Sequence, residues 1–147
     1  MTVVAMQVYR DAADDLDQGW IRGHWYTMDG KCLVQALSDA AQTPLRDEAL
    51  PAYLTAPLDA KLTATSEEYR RLKEERKLRF TNYRHKVETY ALIGWNDYDG
   101  REAEEVISLL RNVADELEQQ LFHEEELDDD LDAAASLPTT NQPVLVG

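Results

Sequence analysis

Ten residues at positions 93–102 form a turn signal between two segments with helical patterns. They read Ile93-Gly94-Trp95-Asn96-Asp97-Tyr98-Asp99-Gly100-Arg101-Glu102. Gly94 follows an apolar run and is suited to end a helix, because glycine reaches the left-handed region at low cost. The Asn and Asp residues that follow favour a turn, since their short side chains bond nearby backbone N–H groups. Asp99 and Glu102 have the spacing of a capping box, which predicts that the next helix begins here.

The same stretch admits a structural and a functional interpretation. In the structural interpretation it is a well-made turn between helices, and the turn chemistry favours this. In the functional interpretation, its polar and aromatic side chains form a pocket or a docking surface. The candidate binding residues here are Trp95, Asn96, Asp97 and Arg101.

The composition is that of an acidic globular chain. It has 147 residues, of which 44% are hydrophobic and 30% are charged, so one domain with a real core is expected. The net charge of -14 argues against direct binding to nucleic acid, whose phosphates would be repelled. Cys32 is the single cysteine and excludes an internal disulfide. The N-terminus lacks a signal-peptide pattern and no apolar run would span a bilayer, so we predict a cytoplasmic protein with no membrane partner.

Helical periodicity dominates the rest of the chain. Apolar residues recur at helical spacing over residues 3–18 and 31–41, and again in a strong stripe that starts near Gly100. A long charged helix is predicted over residues 67–93, with a serine as its N-cap. Residues 44–65 combine prolines with leucines and predict one or two short helical turns. The predicted class is mainly α, a compact bundle of four or five helices with an acidic C-terminal tail.

Residues 19–32 form a separate aromatic segment, which we call the flap. It contains Trp20, Trp25 and the hairpin-type turn signal Asp29-Gly30. We predict a short aromatic loop or a two-stranded flap, packed on the helices because an isolated hairpin is marginal in water. The two tryptophans are either core anchors or the lining of a ligand pocket, since aromatic side chains dominate both settings.

Acidic residues accumulate at the C-terminal end. From residue 112 to the end the chain has ten Asp and Glu residues and no Lys or Arg. We predict a helical core domain over residues 1–122 and an acidic helix extension and tail over residues 123–147. Candidate partner-binding residues in the tail are Glu124, Glu125, Glu126, Asp128, Asp129, Asp130, Val144 and Leu145.

Chemical motifs are sparse. Cys32 with His24 and either Asp97 or Asn96 would make a nucleophile, a base and an orienting group, which raises the hypothesis of a Cys-dependent hydrolase. A lone cysteine more commonly behaves as a small buried hydrophobe. The chain has no His-Glu-x-x-His motif and no glycine-rich phosphate loop, so neither a metal nor a cofactor is predicted.

Several short motifs are spread along the chain: Gly19-Trp20, Gly23, Asp29-Gly30, Cys32-Leu33, Ala36-Leu37, Trp95-Asn96-Asp97, Gly100-Arg101 and Glu104-Glu105-Val106. In their order they resemble a family of small uncharacterised proteins from actinobacteria and their phages. The resemblance covers most of residues 5–115, and the chain departs from it at Glu102, where threonine is expected. It implies an origin and a fold boundary but no known activity and no catalytic residue.

These patterns favour a non-enzymatic helical protein-interaction module, an accessory protein of a phage or an actinobacterium. Its acidic segment, which we define as residues 115–132, would bind a protein partner with a basic surface, and residues 143–146 would add a strand or fill a groove. The alternatives are a nucleic-acid charge mimic that inhibits a host DNA-binding protein, a structural component of a virion or another assembly, and the Cys-dependent hydrolase. The apolar seam on helix 67–93 would also suit a homo-oligomer.

Overall fold

The computed structural model describes residues 1–45 and 48–136, with side chains described as far as residue 124. This part of the chain contains six α-helices, one 3-10 turn and a two-stranded sheet. In chain order they are α1 (Thr2–Gln18), β1 (Tyr26–Thr27), β2 (Gly30–Lys31), α2 (Leu33–Ala41), α3 (Ala52–Thr65), α4 (Glu67–Arg79), the 3-10 turn (Arg84–Lys86), α5 (Val87–Asn96) and α6 (Ala103–Ser136). The predicted mainly α class with a short aromatic flap is confirmed.

Residues Met1–Asp115 form one compact unit, and a second unit begins at Glu116. All six helices contribute a fully buried side chain to the core of the first unit. These are Tyr9 of α1, Leu37 of α2, Leu58 of α3, Tyr69 of α4, Leu92 of α5 and Leu110 of α6. Their burial is the main stabilising term, at about 1.5–3 kcal/mol for a large apolar side chain. The predicted division between residues 122 and 123 stays a prediction.

Helix α3 is longer than the sequence analysis predicts. The segment was expected to hold only one or two helical turns, but it forms a helix of 14 residues with Pro57 inside it. Leu54, Leu58 and Leu62 recur every four residues and are all buried. Their packing outweighs the hydrogen bond that a proline removes from a helix interior.

The prediction of a single helix over residues 67–93 is wrong, because the structure has two helices there. Helix α4 ends at Arg79, α5 begins at Val87, and a short segment with the 3-10 turn joins them. The rings of Phe80 and Tyr90 are 4.7 Å apart between centroids. These two residues of the apolar seam therefore pack against each other within the chain, across the hairpin that α4 and α5 form. The predicted N-cap is confirmed, since the Ser66 hydroxyl accepts a hydrogen bond from Tyr69 N at 3.1 Å.

Gly94 does not end a helix, as the turn chemistry suggested, because α5 continues to Asn96. A Cβ atom at this position would lie 3.0 Å from Arg76 Nη2 and 3.2 Å from Leu72 Cδ2. The glycine thus lets α4 approach α5 closely. The capping interaction of α6 also differs from the prediction, since Glu105 Oε1 accepts from the backbone N–H of Glu102 at 3.0 Å. This is the reciprocal half of a capping box, placed three residues later than expected.

The flap contains the two-stranded sheet, in which Tyr26 pairs with Lys31 in antiparallel register. Its ends approach so closely that a Cβ on Gly30 would lie 2.3 Å from the backbone of Gly19. Lys31 Nζ is 2.6 Å from an Asp15 carboxylate oxygen and 2.8 Å from one of Asp39. The flap is thereby tied to α1 and α2. No described helix is both long enough and apolar enough to cross a membrane.

Candidate functional site

The buried side chain of Asn96 connects the flap to α5 and to the start of α2. Its Oδ1 accepts from Trp20 Nε1 at 2.7 Å and from Leu33 N at 3.0 Å. Its Nδ2 donates to Ile21 O at 3.2 Å and to Asp97 Oδ1 at 2.9 Å. Asn96 is fully buried, so these bonds replace those it would make with water. The amide therefore positions the flap over the end of α5.

Arg101 forms a second polar cluster on the other side of the same turn. Only 8% of this residue is exposed, and its Nε donates to Trp95 O at 2.8 Å. Its guanidinium pairs with Glu68 and with Glu105, and it lies 4.1 Å from the centre of the Trp95 ring. A buried charge with two carboxylate partners and an aromatic face is fully compensated. This arrangement fastens α6 to α4 and α5.

A cleft of about 480 Å³ lies between the flap and α5. Its lining includes His24, Trp25 and Tyr26 from the flap, and Tyr90 and Asp97 from the helical side. Trp25 is 36% exposed and Tyr26 is 68% exposed, so their rings are accessible to a ligand. The volume lies within the usual range of small-molecule sites. Aromatic walls and a carboxylate are therefore available for binding in one place.

Cys32 lines this cleft but is buried, and it caps α2 with its sulfur. Its Sγ accepts a hydrogen bond from Gln35 N at 3.4 Å. Burial raises the pKa of the Cys32 thiol, and the negative charge of Asp97 adds to that rise, against the opposing effect of backbone hydrogen bonds. The neutral thiol is consequently favoured over the nucleophilic thiolate, although Cys32, His24 and Asp97 do share one cleft.

Three hydrogen bonds hold the cleft walls in place. Gly23 N donates to Asp97 Oδ1 at 2.9 Å, and Cys32 N donates to Trp25 O at 2.9 Å. On the helical wall, the Tyr90 hydroxyl donates to the carboxylate of Glu48. Two of these contacts join distant parts of the chain, and both walls come from the compact unit that ends at Asp115.

The comparison with family models identifies this unit. The model named Family of unknown function (DUF6197) matches residues 1–116, which is most of the chain. The chain belongs to DUF6197. No curated protein and no solved structure matches it. The match ends one residue after the compact unit does, so the DUF6197 domain and the folded core coincide.

The six candidate binding residues of this DUF6197 domain lie in three places. Trp25 and Asp97 line the cleft, Trp20 is hydrogen-bonded to Asn96, and Trp95 packs with Arg101. The structure therefore brings only two of them together at an accessible surface, and a binding role for the set stays a prediction. Asp97 and Trp25 line the same cleft because the flap folds over the turn that follows α5. No local sequence pattern predicts this tertiary contact.

Three side chains that line the cleft were not among the predicted site residues. They are Tyr26 of the flap, Tyr90, which was predicted to belong to the apolar seam, and Ile93, which opens the turn signal at positions 93–102. Tyr90 and Ile93 stand three apart on α5, a spacing that places residues on one helix face. That spacing was a usable signal once α5 was separated from α4.

The tail candidates of this DUF6197 chain are only partly described. Glu124 is exposed. The side chains of Glu125, Glu126, Asp128, Asp129 and Asp130, and the whole of Val144 and Leu145, lie outside the described residues. Among the residues whose side chains are described, no group of three or more His, Cys, Asp and Glu residues could hold a metal ion.

Proposed function

We propose that this DUF6197 chain is a non-enzymatic interaction module that binds a protein with a basic surface through the acidic segment. We propose further that it is an accessory protein of an actinobacterium or a phage and acts in the cytoplasm of the host cell. The resemblance of its motifs to proteins of that origin supports the second part. The raised pKa of the Cys32 thiol supports the absence of cysteine catalysis.

The proposal rests on the change of charge at the end of the domain. Arg111 is the last basic residue, and ten acidic residues follow it. Arg111 itself pairs with Asp14 on α1 at 3.1 Å, so this exposed arginine still contacts the first unit. The last buried core residue among those described is Ala114. Most of these acidic residues therefore follow the last described core residue, so packing of the core does not require them.

The physics of such a segment favours a basic partner. Several like charges close together produce a potential that steers an oppositely charged protein and raises the association rate. Salt screens this attraction over a Debye length of about 8 Å at physiological ionic strength. Binding through the acidic segment should consequently weaken as salt rises. The helical backbone of α6 continues to Ser136 and so includes the whole acidic segment.

Affinity capture from the lysate of the source cell tests this proposal. The full chain should retain a basic partner that is released by raised salt, and a chain truncated to residues 1–122 should not retain it. A variant with Glu124→Gln, Glu125→Gln and Glu126→Gln should retain less. The matched control is Glu67→Gln, Glu74→Gln and Glu102→Gln, which changes net charge equally at exposed positions of the core domain.

The identity of the captured protein, together with a test of whether DNA competes for it, distinguishes a general docking role from the charge-mimic alternative. A partner retained equally by residues 1–122 would overturn the proposal, as would an equal loss in the control variant. If DNA competes for the captured protein, the charge-mimic alternative replaces a general docking role, because the segment would then occupy a phosphate site.

A further inference from the structure

The cleft between the flap and α5 combines features of a site for a small organic cation. Three aromatic side chains line it, those of Trp25, Tyr26 and Tyr90. The face of an aromatic ring carries negative potential and attracts a cation within about 6 Å of its centre. Trp25 and Tyr26 stand on the flap and Tyr90 on α5, so rings approach the cleft from two sides.

Asp97 supplies a negative charge at the same place. Its Oδ1 accepts from Gly23 N and from Asn96 Nδ2. Within the described residues no donor bonds to Oδ2, which leaves that oxygen for a ligand. The lining contains no described Lys or Arg that would neutralise the carboxylate. The polarity of the cleft is accordingly negative.

Tyr90 supplies an aromatic ring from the helical wall. Its hydroxyl donates to the carboxylate of Glu48, which orients the side chain. Tyr90 is also held against Phe80, so it presents a fixed wall to the cleft.

We propose that this cleft binds an organic cation of the quaternary ammonium class. Its methyl groups contact the aromatic side chains, and its charge lies near Asp97. A quaternary ammonium suits this lining better than a primary amine, because a compact ammonium is strongly hydrated and would lose more on leaving water. The site is contained in the DUF6197 domain and is independent of the acidic segment.

Calorimetric titration of the full chain with choline tests the site. Choline should bind saturably, and its uncharged carbon analogue, with a tert-butyl group in place of the trimethylammonium group, should bind at least about tenfold more weakly because it lacks the charge. Trp25→Leu should weaken choline binding by about three- to thirty-fold, the range expected for one cation–π contact. Trp25→Phe, which keeps a ring, should lose less.

Two variants separate a ligand site from a change of fold. Asp97→Asn keeps an oxygen that accepts from Gly23 N but removes the charge, so it should weaken choline binding while thermal unfolding stays close to that of the parent chain. Tyr83→Leu removes an exposed ring that does not line the cleft and should leave choline binding unchanged. Absence of saturable binding would overturn the proposal, as would equal affinity for the carbon analogue or an unchanged affinity in Trp25→Leu. The truncated chain 1–122 should still bind choline, so failure here is distinct from failure of the acidic-segment proposal.

Discussion

Asn96 shows how one buried amide can hold several elements. Its oxygen accepts from Trp20 and Leu33, so replacing it leaves a buried backbone N–H and a partly buried indole N–H without this acceptor. We expect Asn96→Ala to lower the free energy of unfolding by about 2–4 kcal/mol, because each unsatisfied buried group costs about 1–3 kcal/mol. Urea unfolding measures the change. Asn82→Ala, at an exposed position, should cost less than about 0.5 kcal/mol, and an equal cost at both sites would contradict this role.

The buried tyrosines predict a pH dependence of stability. Tyr69 donates to Asp59 at 2.6 Å, and burial, the hydrogen bond and the Asp59 charge all raise the pKa of Tyr69. Burial also raises the pKa of Tyr9, which donates to Leu54 O. The neutral phenols stabilise the fold fully below about pH 10, the unfolded value, and the contribution is lost progressively as pH rises above it.

Absorbance of tyrosinate during an alkaline titration measures this effect. The native chain should ionise fewer than its seven tyrosines near the ordinary pKa, with the remainder appearing only as the chain unfolds. Tyr69→Phe should reduce the late component. Ionisation of all tyrosines in one early step, with the fold intact, would show that the two phenols are not protected.

Single residues were predictable where the rule is local. Ser66 followed by acids predicts an N-cap, and Cys32 as a lone cysteine predicts burial; the structure confirms both. Asn96 was predicted as a turn former, yet it is a buried connector at the end of α5. Its partners lie 63 and 76 residues away in the chain, so local turn chemistry could not reveal them.

At the scale of elements, the α4–α5 hairpin depends on the lack of a side chain at Gly94. We expect Gly94→Val to lower the free energy of unfolding by about 1–3 kcal/mol, the usual cost of overpacking. The new methyl groups would meet Leu72 and Arg76, which already lie at contact distance. Chemical denaturation of Gly94→Val, and of Gly94→Ala as a smaller step, should show a graded loss.

A double-mutant cycle isolates the packing term. In a chain with Leu72→Ala, Gly94→Val should cost clearly less than in the parent, because the space left by the leucine accepts the new methyl groups. Strict additivity of the two changes would mean that the glycine serves another purpose.

Helix boundaries illustrate what periodicity can and cannot give. Helix α1 was predicted over residues 3–18 and spans Thr2–Gln18, since a single amphipathic stripe defines it. The region of α4 and α5 carries an apolar seam that continues through the turn. The apolar spacing fits one long helix as well as it fits a hairpin of two helices. The two structures differ in a tertiary contact, the packing of Phe80 against Tyr90, which the spacing does not reveal.

For the whole molecule, the coincidence of the family match with the compact unit predicts an independent domain. A chain truncated to residues 1–116 should unfold cooperatively, because it keeps every described core residue through Ala114. Circular dichroism and tryptophan fluorescence should report the same transition midpoint. Non-coincident transitions, or loss of the transition, would contradict independence. A chain of residues 1–122 serves as the comparison, since that is the boundary predicted from the sequence.

The flap also has a consequence for the order of folding. Its strands are two residues long and gain little by pairing alone, so they form stably only after α5 is in place to receive Trp20. Contacts between residues far apart in the sequence, such as Trp20 with Asn96, form late in folding. Opening such a contact is a local event that costs less free energy than global unfolding. In native-state hydrogen exchange, the amide of Leu33 and the indole of Trp20 share one acceptor and should therefore exchange through one common opening, ahead of the helical core.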